Sequence, residues 1–263
     1  MTTTSESTSF TAEHERWHES VEAQRTSPHG PLSLTAIHWL VDTPSELPGL
    51  PGTWSATDDG TVTVTLAASD GVTRDGQLLD GTVTLGPLTG LEALLLEWGD
   101  KRIQVAARSG SIAVRPQDPA SPDRANYTGT ATFPADPAWV ITGRYQPNPR
   151  AEVEVDSFVP GAKQQYDSPG QAHFTVDGQD VALTLFGAPG ASQLRAIFAD
   201  ATGADLTFPA ARFVPVTRDG DTVTIDFNRA TNPPCAYSAS ATCPFPPPEN
   251  RLPVRIEAGE LRP

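Results

Sequence analysis

The sequence has few cations, few sulfur-containing residues and no long apolar run. Lysine and arginine together number 18 against 32 aspartates and glutamates, so the net charge is −14. An acidic surface repels phosphate backbones and anionic lipids, and we therefore expect no nucleic acid and no membrane among the partners. No stretch approaches the roughly 18 apolar residues of a membrane-spanning helix, and residues 1–9 lack signal-peptide features. These absences predict a cytoplasmic protein.

Several catalytic and cofactor motifs are also missing. The chain has no G-x-S-x-G, no P-loop and no G-x-G-x-x-G after a predicted strand. Their absence removes support for a serine hydrolase of the usual type, a nucleotide-phosphate enzyme and a dinucleotide oxidoreductase. We therefore expect no organic cofactor.

One zinc-like motif occurs near the N-terminus, where His14 and His18 frame an H-E-x-x-H pattern on a predicted helix. Such a pattern can direct both histidines to one metal, with Glu15 as the base. We reject this interpretation because the charged Arg16 lies inside the motif and no third ligand is apparent downstream. The sequence therefore predicts no metal site.

The abundant residues indicate many short strands joined by tight turns. Alternation of apolar and polar residues is clear in six runs, at residues 61–66, 102–106, 139–142, 151–155, 181–185 and 222–227. Asp-Gly pairs, which favour hairpin turns, also occur six times, at residues 59–60, 70–71, 75–76, 80–81, 177–178 and 219–220. The sequence predicts an all-β fold, an antiparallel barrel or sandwich of many short strands with a short N-terminal helix.

Composition shifts also suggest how the chain is organised. We expect, in order, a disordered tail, an N-terminal helix and a β domain, at residues 1–9, 10–28 and 30–263. A proline-rich stretch at residues 116–137 interrupts the strand pattern. It leaves open a division of the β domain into two units, about 30–115 and 138–263.

The most unusual segment is the C-terminal block, residues 226–260, which reads DFNRATNPPCAYSASATCPFPPPENRLPVRIEAGE. It combines both cysteines with many prolines and polar side chains and shows little periodicity. An irregular segment of this kind needs a structural or functional reason to keep one conformation.

The C-terminal block resembles the domain-of-unknown-function 1684 family. Shorter segments carry the same resemblance, at residues 38–40 (HWL), 115–124 (RPQDPASPDR), 133–145 (FPADPAWVITGRY) and 198–213 (FADATGADLTFPAARF). The resemblance implies no function, because the family is named for lacking one. One departure is Phe208-Pro209-Ala210-Ala211, where family members have a tyrosine followed by glycines. That difference puts in doubt any contact that requires close backbone approach at this position.

Candidate active-site residues begin the C-terminal block. Asp226 and Asn228 fall on one face of a predicted strand, and Arg229 follows directly. In one interpretation Asp226 is a catalytic base or an anchor, Asn228 binds the substrate, and Arg229 binds its anionic group bidentately. In the other interpretation these side chains pair with one another, or Asp226 pairs with Arg251, and they hold the loop in place.

A second set follows a stiff, proline-rich run at residues 244–248. Glu249 is the second candidate acid or base, and Asn250 and Arg251 are candidate substrate ligands, with a structural ion pair as the alternative. Further candidates are one general base outside the block and two substrate-binding residues within it, His38, Asn232 and Tyr237.

Cys235 and Cys243 are separated by seven residues. They are a candidate disulfide, and two reduced thiols are the alternative that a cytosolic location favours.

Two functions remain open from the sequence. The first is a pocket for cofactor-independent acid/base chemistry on a small polar or anionic metabolite. The second is a non-catalytic β module that binds a small molecule or a protein, with the C-terminal block as a structural clasp. Convergence of the candidate side chains on one cavity favours the first function, and mutual pairing favours the second.

Overall fold

The computed structural model describes residues 3–149, 151–156 and 163–263. Two residues of the expected tail, 1 and 2, lie outside this range. Contacts divide the chain into two compact units. The barrel unit comprises Met1–Ala23, Thr128–Ala236 and Cys243–Pro263, and the two-sheet unit comprises Gln24–Tyr127 and Tyr237–Thr242. The residue limits expected for the tail, the helix and the β domain stay predictions.

The N-terminal helix predicted from the sequence is α1, Thr3–Arg25. It ends at Arg25, shortly before Pro28, a residue that cannot continue a helix. No helix in the described part of the chain is long and apolar enough to cross a membrane.

The two-sheet unit is built from ten short strands. They are β1 (His38–Trp39), β2 (Ser45–Glu46), β3 (Thr53–Ala56), β4 (Val62–Leu66), β5 (Val72–Arg74), β6 (Gln77–Leu78), β7 (Gly81–Leu85), β8 (Ala93–Trp98), β9 (Lys101–Arg108) and β10 (Ser111–Gln117). One antiparallel sheet has the order β1-β10-β9-β8-β5-β6, and the other has the order β2-β3-β4-β7. The unit also holds helix α2 (Pro122–Ala125) and the 3-10 helices Pro31–Ser33 and Ala68–Asp70. Its apolar core includes the fully buried Trp54.

The barrel unit contains the remaining strands. They are β11 (Val140–Pro147), β12 (Glu152–Asp156), β13 (Lys163–Asp167), β14 (Gly170–Val176), β15 (Gln179–Phe186), β16 (Gln193–Phe198), β17 (Arg212–Asp219) and β18 (Thr222–Asp226). Six strands close a barrel in the order β11-β14-β15-β16-β17-β18, and β12 pairs with β13 separately. The connections include the 3-10 helices Pro137–Trp139, Ala201–Ala204, Phe227–Arg229, Pro234–Ala236 and Pro248–Asn250. Alternate residues of the C-terminal block join the barrel core, namely Leu252, Val254, Ile256 and Ala258.

The predicted all-β class is confirmed, and each of the six alternating runs falls largely within a strand. At 75–76 and 177–178 both residues have positive φ, 52° and 76° in the first pair and 55° and 72° in the second. This is the conformation of a type I′ hairpin loop. The hairpin prediction is wrong at 70–71 and 80–81, because β5 and β6 belong to one sheet while β4 and β7 pair in the other. These two Asp-Gly pairs mark passages between sheets.

A buried ion pair ties the C-terminal block to the barrel. Arg212 begins β17, and both its side chain and that of Asp200 are 1% exposed, with Nη2 and Oδ1 2.7 Å apart. The guanidinium also donates to the carbonyl oxygens of Ile256 and Ala258. Asp200 in turn accepts from the Ile256 N–H at 2.8 Å. Burial lowers the pKa of Arg212, and the charge of Asp200 opposes that effect. Together the two side chains fix the backbone at residues 256–258.

We expect Arg212→Ala to lower the free energy of unfolding by about 3–5 kcal/mol, because it leaves a carboxylate buried without its counter-charge. The matched control is Arg255→Ala, which removes exposed ion pairs to Asp205 and Glu257 and should cost much less, because exposed ion pairs contribute little to stability. Urea unfolding of both variants measures the difference. Similar losses in the two variants would contradict a special role for the buried pair.

Candidate functional site

The C-terminal block adopts three short 3-10 helices joined by extended segments rather than regular strands. Its residues fall in both units, because Tyr237–Thr242 belongs to the two-sheet unit and the rest to the barrel unit. The candidate residues are therefore described in turn, beginning with those on the barrel.

Asp226, Asn228 and Arg229 satisfy one another at the end of β18. Asp226 Oδ1 caps the 3-10 helix Phe227–Arg229, accepting from the backbone N–H of Asn228 at 3.1 Å and from its Nδ2 at 2.9 Å. Asp226 Oδ2 lies 3.1 Å from Arg229 Nε, and Arg229 Nη2 lies 2.7 Å from Glu13 of α1. The strand ends at Asp226, so a cap, and not strand alternation, brings Asp226 and Asn228 together.

The buried Asn228 carries the same structural role further. Its side-chain oxygen accepts from the Asp136 N–H at 2.9 Å, and its Nδ2 donates to the Asp136 carbonyl at 3.0 Å. Its own carbonyl lies 3.0 Å from His14 Nε2. Because a carbonyl oxygen only accepts, Nε2 of His14 must carry the proton. Asn228 thus connects α1, through His14, and the segment before β11, through Asp136, to the end of β18.

Asn250 extends a strand pairing that backbone alone does not complete. The described pairs of β15 and β16 are Leu185 with Ala196 and Phe186 with Arg195, and Thr184 would face Ile197 next. Instead, Asn250 Oδ1 accepts from the Thr184 N–H at 2.6 Å. Its Nδ2 donates to the carbonyl oxygens of Thr184 at 2.9 Å and Ile197 at 2.7 Å. The fully buried amide therefore replaces a missing rung of the ladder.

Glu249 is the candidate that reaches a cavity. Its Oε1 accepts from the Thr184 hydroxyl at 2.8 Å, and the carboxylate lies at the edge of a cleft of about 430 Å³. The cleft lining consists of Gln146, Pro147, Asn148, Pro149, Glu152, Val153, Glu154, Gln171, Thr184 and Glu249. No other candidate catalytic or substrate-binding residue belongs to this lining.

The remaining candidates lie elsewhere in the fold. Asn232 is buried, with its Nδ2 donating to the Leu261 carbonyl at 2.7 Å. The Arg251 side chain is exposed, while its backbone bridges to Ala199. Tyr237 belongs to the two-sheet unit, where its ring meets the Tyr127 ring edge-on at 5.7 Å.

His38 also belongs to the two-sheet unit, on β1 opposite Val114. Its Nε2 is buried and has no hydrogen-bond partner among the described residues. Asp226 and Glu249 belong to the barrel unit.

Cys235 and Cys243 lie side by side within the barrel unit as reduced cysteines, so the candidate disulfide is not formed in this structure. The Cys235 N–H donates to Cys243 Sγ at 3.3 Å. A hydrogen bond from the Cys243 side chain lowers the pKa of the half-buried Cys235, and burial acts in the opposite direction. Because Cys235 is also the less buried of the two, we expect it to be the more reactive thiol.

Several important residues escaped the sequence analysis. Gln146 and Gln171 gave no signal, because single glutamines on strands are common. Arg212 did leave one, since it occupies the inward position of an alternating strand together with Val214 and Val216. A lone arginine in that place indicates a buried partner.

Comparison with known proteins adds a family and no activity. A family model described as "Protein of unknown function (DUF1684)" matches residues 125–261, more than half of the chain. Among solved structures, the chain is similar to an uncharacterized protein of Haloarcula marismortui studied by NMR in solution. The two share 28% identity and a TM-score of 0.45, with 55% of this chain and 83% of that one covered. No curated protein matches the chain.

We predict that Asn250→Ala lowers the free energy of unfolding by about 2–4 kcal/mol, because buried backbone groups of Thr184 and Ile197 lose their partner. Its neighbour provides the control, since Arg251→Ala changes only an exposed side chain and should stay within about 0.5 kcal/mol of the wild type. Chemical denaturation compares the two. A larger loss for Arg251→Ala would show that the block is held by its charges instead.

We also predict that iodoacetamide alkylates Cys235 before Cys243 in the native protein, because Cys243 is buried. The thiolate is the reactive form, so the lowered pKa of Cys235 should place the midpoint of its pH–rate curve below the usual value of about 8.5. Cys243→Ala removes the thiol hydrogen bond and should move that midpoint upward. Peptide mass mapping over time gives both rates, and an unmoved midpoint in Cys243→Ala would refute the assigned cause.

Proposed function

The chain belongs to the DUF1684 family of proteins of unknown function, and we propose that its barrel unit binds a small polar molecule in the cleft beside Glu249. The proposal takes the non-catalytic alternative from the sequence, with the C-terminal block as a clasp that also supplies one ligand-binding side chain. The observation that supports this proposal is a row of aligned polar side chains on neighbouring barrel strands, which ends at the Glu249 carboxylate.

The row runs across three neighbouring barrel strands. Gln146 of β11 is the register partner of Gln171 of β14, which is the register partner of Thr184 of β15. Directly opposed residues point to the same face of a sheet. Gln171 Nε2 donates to Thr184 Oγ1 at 3.2 Å, and the Thr184 hydroxyl donates to Glu249 Oε1. The Glu249 carboxylate is thereby oriented toward the cleft before any ligand arrives.

The composition of the lining indicates the class of ligand. Glu249 Oε2 accepts no hydrogen bond from the described residues, so it offers a free acceptor. Glu152 and Glu154 add further carboxylates, although Lys163 pairs with Glu154 at 2.6 Å. A carboxylate only accepts hydrogen bonds, which favours a ligand rich in N–H or O–H donors. The sequence left open a small polar or an anionic metabolite, and we propose the polar class, in the form of an amine or a polyol.

The contacts of the other candidates support the same choice. The arginines expected to bind an anion do not line the cleft. Arg229 pairs instead with Asp226 and Glu13, and the Arg251 side chain is exposed. Asp226 caps a 3-10 helix. A group that already holds the fold in this way is a poor general base, because proton uptake would cost the cap.

The test is a thermal-shift screen of the wild type against polyols, sugars, amines and polyamines, with anionic metabolites as the comparison. A ligand present at about 100 times its dissociation constant adds roughly 2.7 kcal/mol of stability, which is measurable as a rise in Tm. We expect the compounds that raise Tm to be polyols, sugars, amines or polyamines, all of which carry N–H or O–H donors.

Glu249→Gln should weaken binding of such a hit about 10- to 100-fold, the value of a charge-assisted hydrogen bond of about 1.5–3 kcal/mol. The matched control is Glu257→Gln, which removes an exposed carboxylate that pairs with Arg255. Calorimetric titration of both variants gives the affinities. Hits confined to anions, or equal affinity in Glu249→Gln and the wild type, would contradict the proposed site.

A further inference from the structure

The two cysteines lie where the C-terminal block leaves the barrel unit and where it returns. The barrel unit includes the chain up to Ala236 and resumes at Cys243, whereas Tyr237–Thr242 belongs to the two-sheet unit. This segment is called the 237–242 loop below. Cys235 and Cys243 thus form the base of the loop, and a covalent bond between them would close it.

The backbone at the base of the loop is restricted. Two prolines precede Cys235 and one follows Cys243. Proline fixes its own φ angle and limits the conformations of the residue before it. Cys235 is also part of the 3-10 helix Pro234–Ala236. Because these residues have few conformations to lose, holding the two cysteines together costs little conformational entropy.

The two thiol groups are in contact across this base. The Cys235 N–H donates to Cys243 Sγ at 3.3 Å. The Cys243 side chain also hydrogen-bonds to the Cys235 sulfur, and that bond lowers the pKa of Cys235. Sulfur atoms in hydrogen-bond contact can react with each other without a large movement of the chain.

The two thiols differ in their access to solvent. Cys243 is 5% exposed, whereas Cys235 is only partly buried. The thiolate is the form of cysteine that reacts with oxidants, and reaction also requires access. An oxidant dissolved in water therefore reaches Cys235 first. Cys243 needs access only to Cys235, so its burial does not prevent it from reacting with an oxidised neighbour.

We propose that Cys235 and Cys243 form a reversible disulfide when a peroxide oxidises the protein. First, the Cys235 thiolate attacks one oxygen of hydrogen peroxide, the O–O bond breaks, and the departing hydroxide takes up a proton to become water. Cys235 is then a sulfenic acid. Second, the Cys243 sulfur attacks the Cys235 sulfur, the S–O bond breaks, and hydroxide leaves as water with the proton of the Cys243 thiol. A dithiol reductant restores both thiols by thiol–disulfide exchange.

The bond changes how the 237–242 loop is held. In the reduced protein the loop is held by non-covalent contacts of the two-sheet unit. The Ser238 hydroxyl donates to the Leu34 carbonyl at 3.5 Å, and the Arg25 guanidinium lies 4.5 Å from the centre of the Tyr237 ring. The disulfide adds a covalent closure that restricts the unfolded chain and thereby stabilises the folded one. The loop then stays closed at its base even when these contacts break.

The experiment treats reduced, full-length wild type with hydrogen peroxide and follows it by mass spectrometry. Trypsin releases both cysteines in one peptide, residues 230–251, because no lysine or arginine lies between Arg229 and Arg251. We expect this peptide to lose the mass of two hydrogen atoms and to regain it with dithiothreitol. The oxidised protein should have a Tm higher by roughly 5 °C, since the bond closes a short loop in a chain of this size.

Two variants test the assigned order of the steps. Cys243→Ser has no thiol to form the disulfide, so peroxide should leave a sulfenic acid on Cys235 that dimedone labels several-fold more than in the wild type. Cys235→Ser retains only the buried thiol and should react with peroxide far more slowly than Cys243→Ser. The reduced Tm of each variant shows whether it is folded, and the wild-type peptide map decides the main point without either variant.

Four results would overturn the proposal. The first is a wild type that peroxide links only between molecules, and the second is one that it converts to sulfinic acid without the disulfide in peptide 230–251. The third is an oxidised protein whose Tm is unchanged or lower, because the native fold would then not accommodate the bond. The fourth is equal dimedone labelling of the wild type and of folded Cys243→Ser.

Discussion

The backbone pairing between β15 and β16 stops short of Thr184 and Ile197, and the side-chain amide of Asn250 takes over from there. Because this amide is fully buried, no water can substitute for it. Directly after Ile197, Ala199 forms two backbone hydrogen bonds with the block: its N–H donates to the Asn250 carbonyl, and its carbonyl accepts from the Leu252 N–H. The irregular C-terminal block therefore acts as part of the barrel wall, and its prolines keep it extended so that Asn250 meets the gap.

Charged side chains of the barrel unit also hold the C-terminal block in place. Arg212 and Asp200 hold the backbone at residues 256–258, and Asp226 holds the start of the block through Asn228 and Arg229. The side chains at the start of the block were expected to contact a substrate, and the buried ion pair was not predicted. In the structure both sets bond to other parts of the barrel unit. Among the candidate catalytic residues, Glu249 is the one that lines the cleft beside β11, β14 and β15. Under the proposed function, Glu249 binds the ligand while its neighbour Asn250 supports the barrel wall.

The fold class was predictable because strand alternation is local, and Thr61–Leu66 or Thr222–Phe227 display it without reference to any neighbour. The pairing of Asp226 with Arg229 was equally local and was one of the two interpretations considered. The partners of Asn250 could not be foreseen, because Thr184 and Ile197 are backbone groups whose availability depends on where a distant strand pair ends. The same applies to Glu260, whose neighbour His18 lies at the other end of the sequence. Two Asp-Gly pairs misled because a turn sequence does not specify which sheet the next strand joins.

The barrel unit is assembled from three stretches of chain, and the last of them follows every barrel strand. During synthesis β15 and β16 therefore leave the ribosome before residue 250 exists, and their unmatched edge stays open. An unpaired strand edge is a template for association with other chains, and nascent chains with late long-range contacts are the most exposed to it. A chain interrupted shortly before Asn250 would retain every barrel strand and still present that edge, so the order of translation makes a brief risk of aggregation part of this architecture.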